Sequence, residues 1–228
     1  MKTITQFSAA LLAAAILLSL QSCATLTGFN TGRTVGKEQG EIALSLNLAN
    51  VPEFQESESA NEVLRKIAIP LVELGGRYGV AENVDIGLRV NTALNFLVDT
   101  KVQLIGGQDG PFALATGAGL GAFGVVSGAG MLLNFQVPLY TSYHPSETFA
   151  LYLSPRYIGQ FGTNFQESSG MLNYLGANTG FETGRRVRFG LDVGYYQLSN
   201  KTESLNSSIL QIGIGVKFRF GAGSDSAF

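Results

Sequence analysis

The chain has very few of the residues on which disulfides, zinc sites and nucleic-acid binding depend. It contains one cysteine and one histidine in 228 residues, which excludes an internal disulfide and a zinc site built from these two residue types. Charged residues make up only 14% of the chain, against about 25% in typical soluble domains. The net charge of −2 does not suggest the clustered basic surface that binds nucleic acid.

Glycine and aromatic residues, in contrast, are plentiful. The chain has 29 glycines, 15 phenylalanines and 8 tyrosines, although it has no tryptophan. Each glycine inside a helix costs about 1 kcal/mol relative to alanine, so a helical domain of this composition is disfavoured. Low charge with many glycines and aromatics instead favours strands whose side chains face lipid on one side.

Apolar and other residues alternate along most of the chain, as in residues 187–195 and 211–220. This period of two predicts strands. Several of the alternating segments reach about ten residues, the length of a tilted transmembrane strand, whereas strands of soluble proteins more often have about five or six. The predicted strands lie near 41–49, 67–80, 84–95, 98–106, 112–126, 131–143, 149–160, 171–181, 186–198 and 208–220.

The connections between these strands differ in length according to their order. Long connections follow only odd-numbered strands, and those after even-numbered strands are uniformly short. Outer-membrane barrels have long extracellular loops and short periplasmic turns. The pattern predicts an all-β fold, a single antiparallel up-and-down transmembrane β-barrel of about ten strands, with eight as the alternative count. The last strand ends in Phe218-Arg219-Phe220, which resembles the aromatic-ended assembly signal of outer-membrane barrels.

The first residues have the layout of an export signal. Lys2 precedes an apolar run, residues 9–20, that is too short to span a bilayer. The run ends in Leu20-Gln21-Ser22-Cys23, which resembles the lipobox of bacterial lipoproteins. This resemblance implies cleavage before Cys23 and a covalent diacylglycerol and acyl chain on Cys23, and Ala24 at the next position implies sorting to the outer membrane. The alternative is ordinary signal cleavage near Ala24.

These observations divide the chain into four parts: a signal peptide (1–22), a lipidated N-terminus with its tether (23–40), the barrel (41–220) and a C-terminal tail (221–228). The tether is expected to be flexible because it contains Gly28, Gly32, Gly36 and Gly40. It would join a lipid on the periplasmic side of a Gram-negative-type outer membrane to the first strand. The expected partners are outer-membrane lipids and the barrel-assembly and lipoprotein-sorting machinery, with no nucleic acid.

Several charged residues fall at positions that face the interior of the predicted barrel. A network of ion pairs filling a narrow lumen is the favoured interpretation, because buried charges persist only when they are paired. The alternative is a polar lumen that passes small, anion-leaning solutes, since several inward glycines would leave space. The predicted lumen charges are Glu41, Glu73, Arg77, Asp85, Arg89, Lys101, Arg156, Arg186, Arg188, Asp192, Lys217 and Arg219.

His144-Pro145-Ser146 is the motif closest to a catalytic one. The His-x-Ser pattern resembles the catalytic pair of outer-membrane phospholipase and lipid A deacylase, which implies an acyl hydrolase using His144 and Ser146. However, those sites face the outer leaflet, and Pro145 predicts a periplasmic turn here. We therefore expect no catalytic residues, cofactor or metal site, and the acyl hydrolase remains a second alternative.

The sequence thus predicts a lipid-anchored outer-membrane barrel that is not an enzyme and has a structural or surface-interaction role. A small polar-lumen pore is the first alternative.

Overall fold

A computed structural model describes residues 26–50, 68–107, 110–124, 131–163, 171–200 and 205–221. These residues contain ten strands and, within the described ranges, no helix long and apolar enough to cross a membrane. The strands are β1 (Gln39–Asn50), β2 (Ala68–Ala81), β3 (Val84–Asn91), β4 (Asn95–Ile105), β5 (Phe112–Gly124), β6 (Met131–Ser146), β7 (Phe149–Thr163), β8 (Leu172–Gly184), β9 (Val187–Asn200) and β10 (Leu205–Gly221).

The strands form one closed antiparallel barrel in which each strand pairs with the next along the chain. β1 closes the barrel against β10 in a continuous register from Gln39↔Gly221 to Ala49↔Gln211. The predicted up-and-down barrel of ten strands is therefore confirmed. Several strand ends differ from the prediction by a few residues; for example, the β3–β4 turn lies at 92–94 rather than near 95–97, and β6 continues through Pro145 to Ser146.

The two ends of the barrel are unequal. One end, called the turn end here, carries the start of β1, the end of β10 and the short connections after β2, β4, β6 and β8. The opposite end, called the loop end, carries the connections after the odd-numbered strands, of which 51–67 is the longest.

The outer face of the barrel is apolar on all ten strands. Along β1, for example, Ile42, Leu44, Leu46 and Leu48 are each between 42% and 47% exposed. Aromatic residues contact one another on this face near the turn end, where the rings of Phe112 and Tyr143 lie 4.7 Å apart. Aromatic girdles flanking an apolar band are typical of transmembrane barrels.

The inner face has the opposite character. Alternate residues of the same strands are buried and polar, among them Asn47, Asp99, Gln136 and Asp192. A soluble sandwich or barrel buries its apolar residues and exposes its polar ones. Because this barrel does the reverse, its outer face is suited to lipid, and the fold is a transmembrane β-barrel.

Candidate functional site

The lumen contains the part of the chain that immediately precedes β1. Residues 26–36, called the inner segment here, are buried at every position except Arg33, which is half-buried. The prediction that 23–40 includes a flexible tether between the lipid and the first strand is therefore wrong for residues 26–36. Its glycines do not serve as a flexible linker, because backbone groups of the segment, from Thr27 to Val35, are hydrogen-bonded to side chains of the surrounding wall. Residues 23–25 lie outside the described part of the chain.

The first described residue, Leu26, lies close to the loop end. Its side chain belongs to a buried apolar cluster with Ala49, Ile158, Tyr174, Tyr196, Leu198 and Ile209. Ala49 is next to the last residue of β1, and Leu198 is near the end of β9. The Leu26 carbonyl accepts a hydrogen bond of 3.0 Å from Asn178 Nδ2. This end of the lumen is thus filled by apolar side chains.

Charged side chains hold the next two residues of the inner segment. The Thr27 carbonyl accepts hydrogen bonds from Arg89 Nη1 at 3.3 Å and Arg156 Nη1 at 3.2 Å. The backbone N–H of Gly28 donates to Asp192 Oδ2 at 3.1 Å. Hydrogen bonds to charged groups are stronger than neutral ones, so lumen charges from β3, β7 and β9 fix the segment here.

Phe29 occupies the space left by three inward-facing glycines. A Cβ atom added to Gly190 would lie 2.9 Å from the Phe29 ring, and one added to Gly215 would lie 3.1 Å from it. At Gly213 the corresponding distance to Phe29 is 3.5 Å. The expectation that these glycines leave the interior unfilled is therefore wrong: their missing side chains make room for an aromatic ring.

The second half of the inner segment is held by residues of β3 and β4 that lie near the turn end. Lys101 Nζ donates to the Arg33 carbonyl at 2.6 Å. The Thr34 N–H donates to Gln103 Oε1 at 2.9 Å, and the Val35 N–H donates to both Asp85 carboxylate oxygens at 3.2 Å. The segment therefore runs from the loop end to the turn end, in the direction opposite to β1.

A tight reversal at the turn end joins the inner segment to β1. Gly36 and Glu38 have positive φ angles of 93° and 61°, a conformation that glycine adopts readily and other residues rarely. The Glu38 N–H donates to the Gly79 carbonyl at 2.9 Å. A Cβ atom on Gly79 would lie 1.8 Å from the Gly36 carbonyl oxygen, so this contact needs a glycine.

The predicted lumen charges lie mainly in two clusters. The first, called the β2–β4 cluster, centres on Asp99, whose carboxylate contacts Arg77 Nη2 at 2.6 Å and Arg89 Nη2 at 3.0 Å. Arg89 also lies 3.9 Å from Glu73, and Lys101 lies 3.4 Å from Asp85. The sequence prediction did not include Asp99. Asp99 is two residues before Lys101 in β4, so the alternation of the strand already placed both side chains on the inner face.

The second cluster spans the closing seam and is called the seam cluster. Glu41 Oε1 lies 3.4 Å from Lys217 Nζ, and Glu41 Oε2 lies 3.1 Å from Arg219 Nε. Glu182, which Lys217 also contacts, lies 3.8 Å from Arg188. Glu182 was not predicted, because the predicted eighth strand stopped at 181 whereas β8 continues to Gly184.

Most of the remaining predicted lumen residues lie inside the barrel. Arg156 and Asp192 are buried and contact the inner segment as described above. Arg219 of the seam cluster is partly exposed at the turn end, with 22% of its side-chain surface accessible. The prediction that Arg186 faces the lumen is wrong, because Arg186 lies in the β8–β9 turn and is exposed.

His144 does not form the pair that the acyl-hydrolase hypothesis requires. It is buried, it lies within β6 rather than in a turn, and its Nε2 is 2.8 Å from Ser142 Oγ. Ser142 Oγ in turn accepts a hydrogen bond of 2.9 Å from the Gly32 N–H. Ser146 is exposed, and its Oγ is 3.2 Å from Thr148 Oγ1. His144 therefore supports the inner segment through Ser142.

A small cavity remains beside the inner segment. A cavity of about 40 Å³ lies against Thr27, Phe29 and the β2–β4 cluster, which is room for a few water molecules. Within the described ranges, no group of three or more His, Cys, Asp or Glu residues is arranged to hold a metal ion.

Sequence comparisons match no protein family and no curated protein. Among solved structures, the chain is similar to the N-terminal β-barrel domain of OprF from Pseudomonas aeruginosa, with 13% identity, 81% of this chain and 99% of that chain covered, and a TM-score of 0.35. The attachment invasion locus protein Ail of Yersinia pestis is 10% identical, with 81% of this chain and 99% of that chain covered and a TM-score of 0.37. The outer membrane protease OmpT of Escherichia coli is 10% identical, with 80% of this chain and 96% of that chain covered and a TM-score of 0.42. Similarities at this level place the chain in no family, and the transmembrane fold follows from the polarity of its own two faces.

Proposed function

We propose that this protein is a lipid-anchored barrel of a Gram-negative outer membrane, sealed by its own inner segment, with a structural or surface-interaction role. The observation that carries the proposal is the combination of an apolar outer face with a lumen filled by residues 26–36. The lipid anchor rests on the lipobox-like residues ending in Cys23, and the surface role rests on the loop end with its long 51–67 connection.

The filled lumen argues against the pore alternative. A solute crossing the barrel would have to displace backbone groups of the inner segment that are held by Arg89, Arg156, Asp192 and Asp85. Each lost hydrogen bond to a charged group costs about 1.5–3 kcal/mol, so several together keep the segment in place. Among the described residues, the buried lumen charges are balanced, with six acidic and six basic side chains. This balance suits ion pairing and removes the basic excess on which the anion-leaning pore depended.

Conductance in planar bilayers tests the sealed barrel. We expect full-length protein that shows a heat-dependent gel shift, the sign of a folded barrel, to give no steady conductance. A variant lacking residues 26–36 that retains the gel shift should conduct. Steady conductance by the full-length protein would contradict the proposal, whatever the shortened variant does.

Incorporation of a radioactive fatty acid tests the anchor. Wild-type protein should take up label in a Gram-negative host and fractionate with the outer membrane, and Cys23→Ser should take up none. Wild-type protein that never incorporates label would contradict the lipid anchor but would leave the sealed barrel standing.

The acyl-hydrolase alternative has a separate test. If the contacts of His144 are structural, purified barrel should release no fatty acid from phospholipid or lipid A, and His144→Ala should change only stability. Hydrolysis by the wild-type protein that is lost in His144→Ala and Ser146→Ala would contradict the non-enzymatic role.

A further inference from the structure

We infer that the chain upstream of Leu26 leaves the barrel at the loop end, so that the mature N-terminus lies on the extracellular side of the membrane. If Cys23 carries a lipid, as the proposed function holds, that lipid reaches the outer leaflet from the cell surface. This reverses the placement expected from the sequence, in which the lipid lay in the periplasmic leaflet beside the start of β1.

The first argument is the reach of the chain. Cys23 is three residues before Leu26, and three extended residues span about 10 Å. Leu26 lies in the same apolar cluster as Ala49, which is ten residues along β1 from Gln39 at the turn end. At about 3.4 Å per residue and a tilt of about 40°, these ten residues span roughly 25 Å of the barrel axis. Cys23 cannot reach the turn end from Leu26.

The second argument is the lack of a return path. The inner segment already fills the lumen between Leu26 and the turn end, and Phe29 occupies the space beside Gly190 and Gly215. A second strand of chain running back toward the turn end would have to displace it. The loop end, which is only one residue of β1 beyond Ala49, is the nearer exit.

The third argument is that the direction of the inner segment is fixed at both of its ends. Leu26 is buried among apolar side chains near the loop end. Thr34 and Val35 donate their N–H groups to Gln103 and Asp85 near the turn end. A reversed segment would bring polar groups against the apolar cluster and leave these acceptors unsatisfied, which is costly in a buried site.

The fourth argument identifies the side of the membrane. Long connections of outer-membrane barrels are extracellular and short ones periplasmic, so the loop end is the extracellular end. The inner segment contacts β3, β4, β6, β7, β8 and β9, so it lies inside the closed barrel. A chain that leaves this barrel at the loop end therefore emerges on the extracellular side.

A thiol placed beside the anchor tests this path in intact cells. Cys23 is the only native cysteine, so once its sulfur carries a diacylglycerol, Thr25→Cys introduces the only free thiol. The probe is a membrane-impermeant maleimide. Ser204→Cys in the β9–β10 connection reports the loop end, and Glu147→Cys in the exposed β6–β7 turn reports the turn end.

We expect Thr25→Cys and Ser204→Cys to react on intact cells, and Glu147→Cys to react only after the outer membrane is permeabilised. Reaction of Thr25→Cys only after permeabilisation, together with Glu147→Cys, would overturn the inference. If Glu147→Cys reacted on intact cells and Ser204→Cys only after permeabilisation, the barrel would have the opposite orientation in the membrane. That result would also overturn the inference. Because a thiol near the barrel rim can react slowly, an epitope inserted between Thr25 and Leu26 gives an independent readout: antibody binding to intact cells supports the path, and binding only after permeabilisation overturns it.

Fatty-acid labelling of the same variants separates this inference from the proposed function. Label on Thr25→Cys protein whose new thiol is reached only from the periplasm would keep the lipid anchor and overturn the path. Absence of label would overturn the anchor and the placement of its lipid, while the epitope result, which does not depend on a free thiol, would still decide where the N-terminus leaves the barrel.

Discussion

The two faces of the barrel wall are built from alternate residues of the same ten strands, yet they obey different rules. On the outer face, Ile42, Leu88 and Ile214 are about half exposed and need only be apolar, since lipid adapts to any shape. On the inner face, many residues have a particular partner, such as Asp99 with two arginines or Gly215 with Phe29. Composition is therefore sufficient to specify the outer face, and exact complementarity is required on the inner one.

Loss of a shared counter-charge on the inner face should have the largest effect. Asp99→Asn removes the charge that pairs with Arg77 and Arg89, and breaking a buried ion pair typically costs about 3–5 kcal/mol. We expect a loss of this size in the free energy of unfolding, measured by urea titration in detergent or lipid. The control is Glu38→Gln, which removes an exposed pair with Lys37 at 4.0 Å and should cost at most about 1 kcal/mol. Equal effects of the two substitutions would contradict the importance of the β2–β4 cluster.

Shortening one phenylalanine on each side of the wall compares packing directly. Phe29→Ala should leave a cavity beside Gly190, Gly213 and Gly215 and lower the free energy of unfolding by about 3–5 kcal/mol. Phe189, on the outer face, is 60% exposed. Its change to alanine should cost clearly less, because lipid fills the gap. An equal loss for Phe189→Ala would mean that a protein surface rather than lipid covers this face.

The outer face was the part of the molecule most accessible to sequence reasoning. Alternation as in Ile212, Ile214 and Phe218 reports a half-buried strand directly, and it located all ten strands to within a few residues. The strand ends were less certain because turn-forming residues also occur inside strands. Pro145 suggested a turn, for example, although β6 continues through it.

The inner segment could not be recognised in the same way. It is not a strand of the barrel, so residues 26–36 lack the alternation of apolar and polar residues, and their glycines at 28, 32 and 36 are typical of linkers as well. The only signal lay elsewhere: the inward glycines at 190, 213 and 215 leave a space, and protein interiors are close-packed. Something had to fill that space, but the sequence does not say which residues fill it.

Adding a side chain to a glycine should have a smaller effect on the free energy of unfolding, and the size of this effect should depend on the face. A Cβ atom on Gly213 would lie 2.1 Å from Asn47 Oδ1, whereas one on Gly76, on the outer face, would meet nothing within 4 Å. Gly213→Leu should therefore cost about 1–3 kcal/mol through overpacking, and Gly76→Leu should be neutral. Urea titration of the two variants compares them. Destabilisation by Gly76→Leu to the same extent would mean that a second protein surface, rather than lipid, packs beside Gly76 in the membrane.

Enlargement of side chains that already face lipid should have the smallest effect. Leu191 and Ile214 are 37% and 58% exposed and are paired across β9 and β10. Because lipid has no fixed shape, Leu191→Phe and Ile214→Trp should change the free energy of unfolding by no more than about 0.5 kcal/mol, as at other surface positions. A close-packed partner would instead impose about 1–3 kcal/mol for the added volume. The two substitutions are best measured in lipid vesicles and in detergent, since a partner copy would be lost in detergent. Destabilisation that appears only in vesicles would mean that β9 and β10 face a second protein in the membrane, and destabilisation in both media would contradict the lipid-facing assignment of these strands.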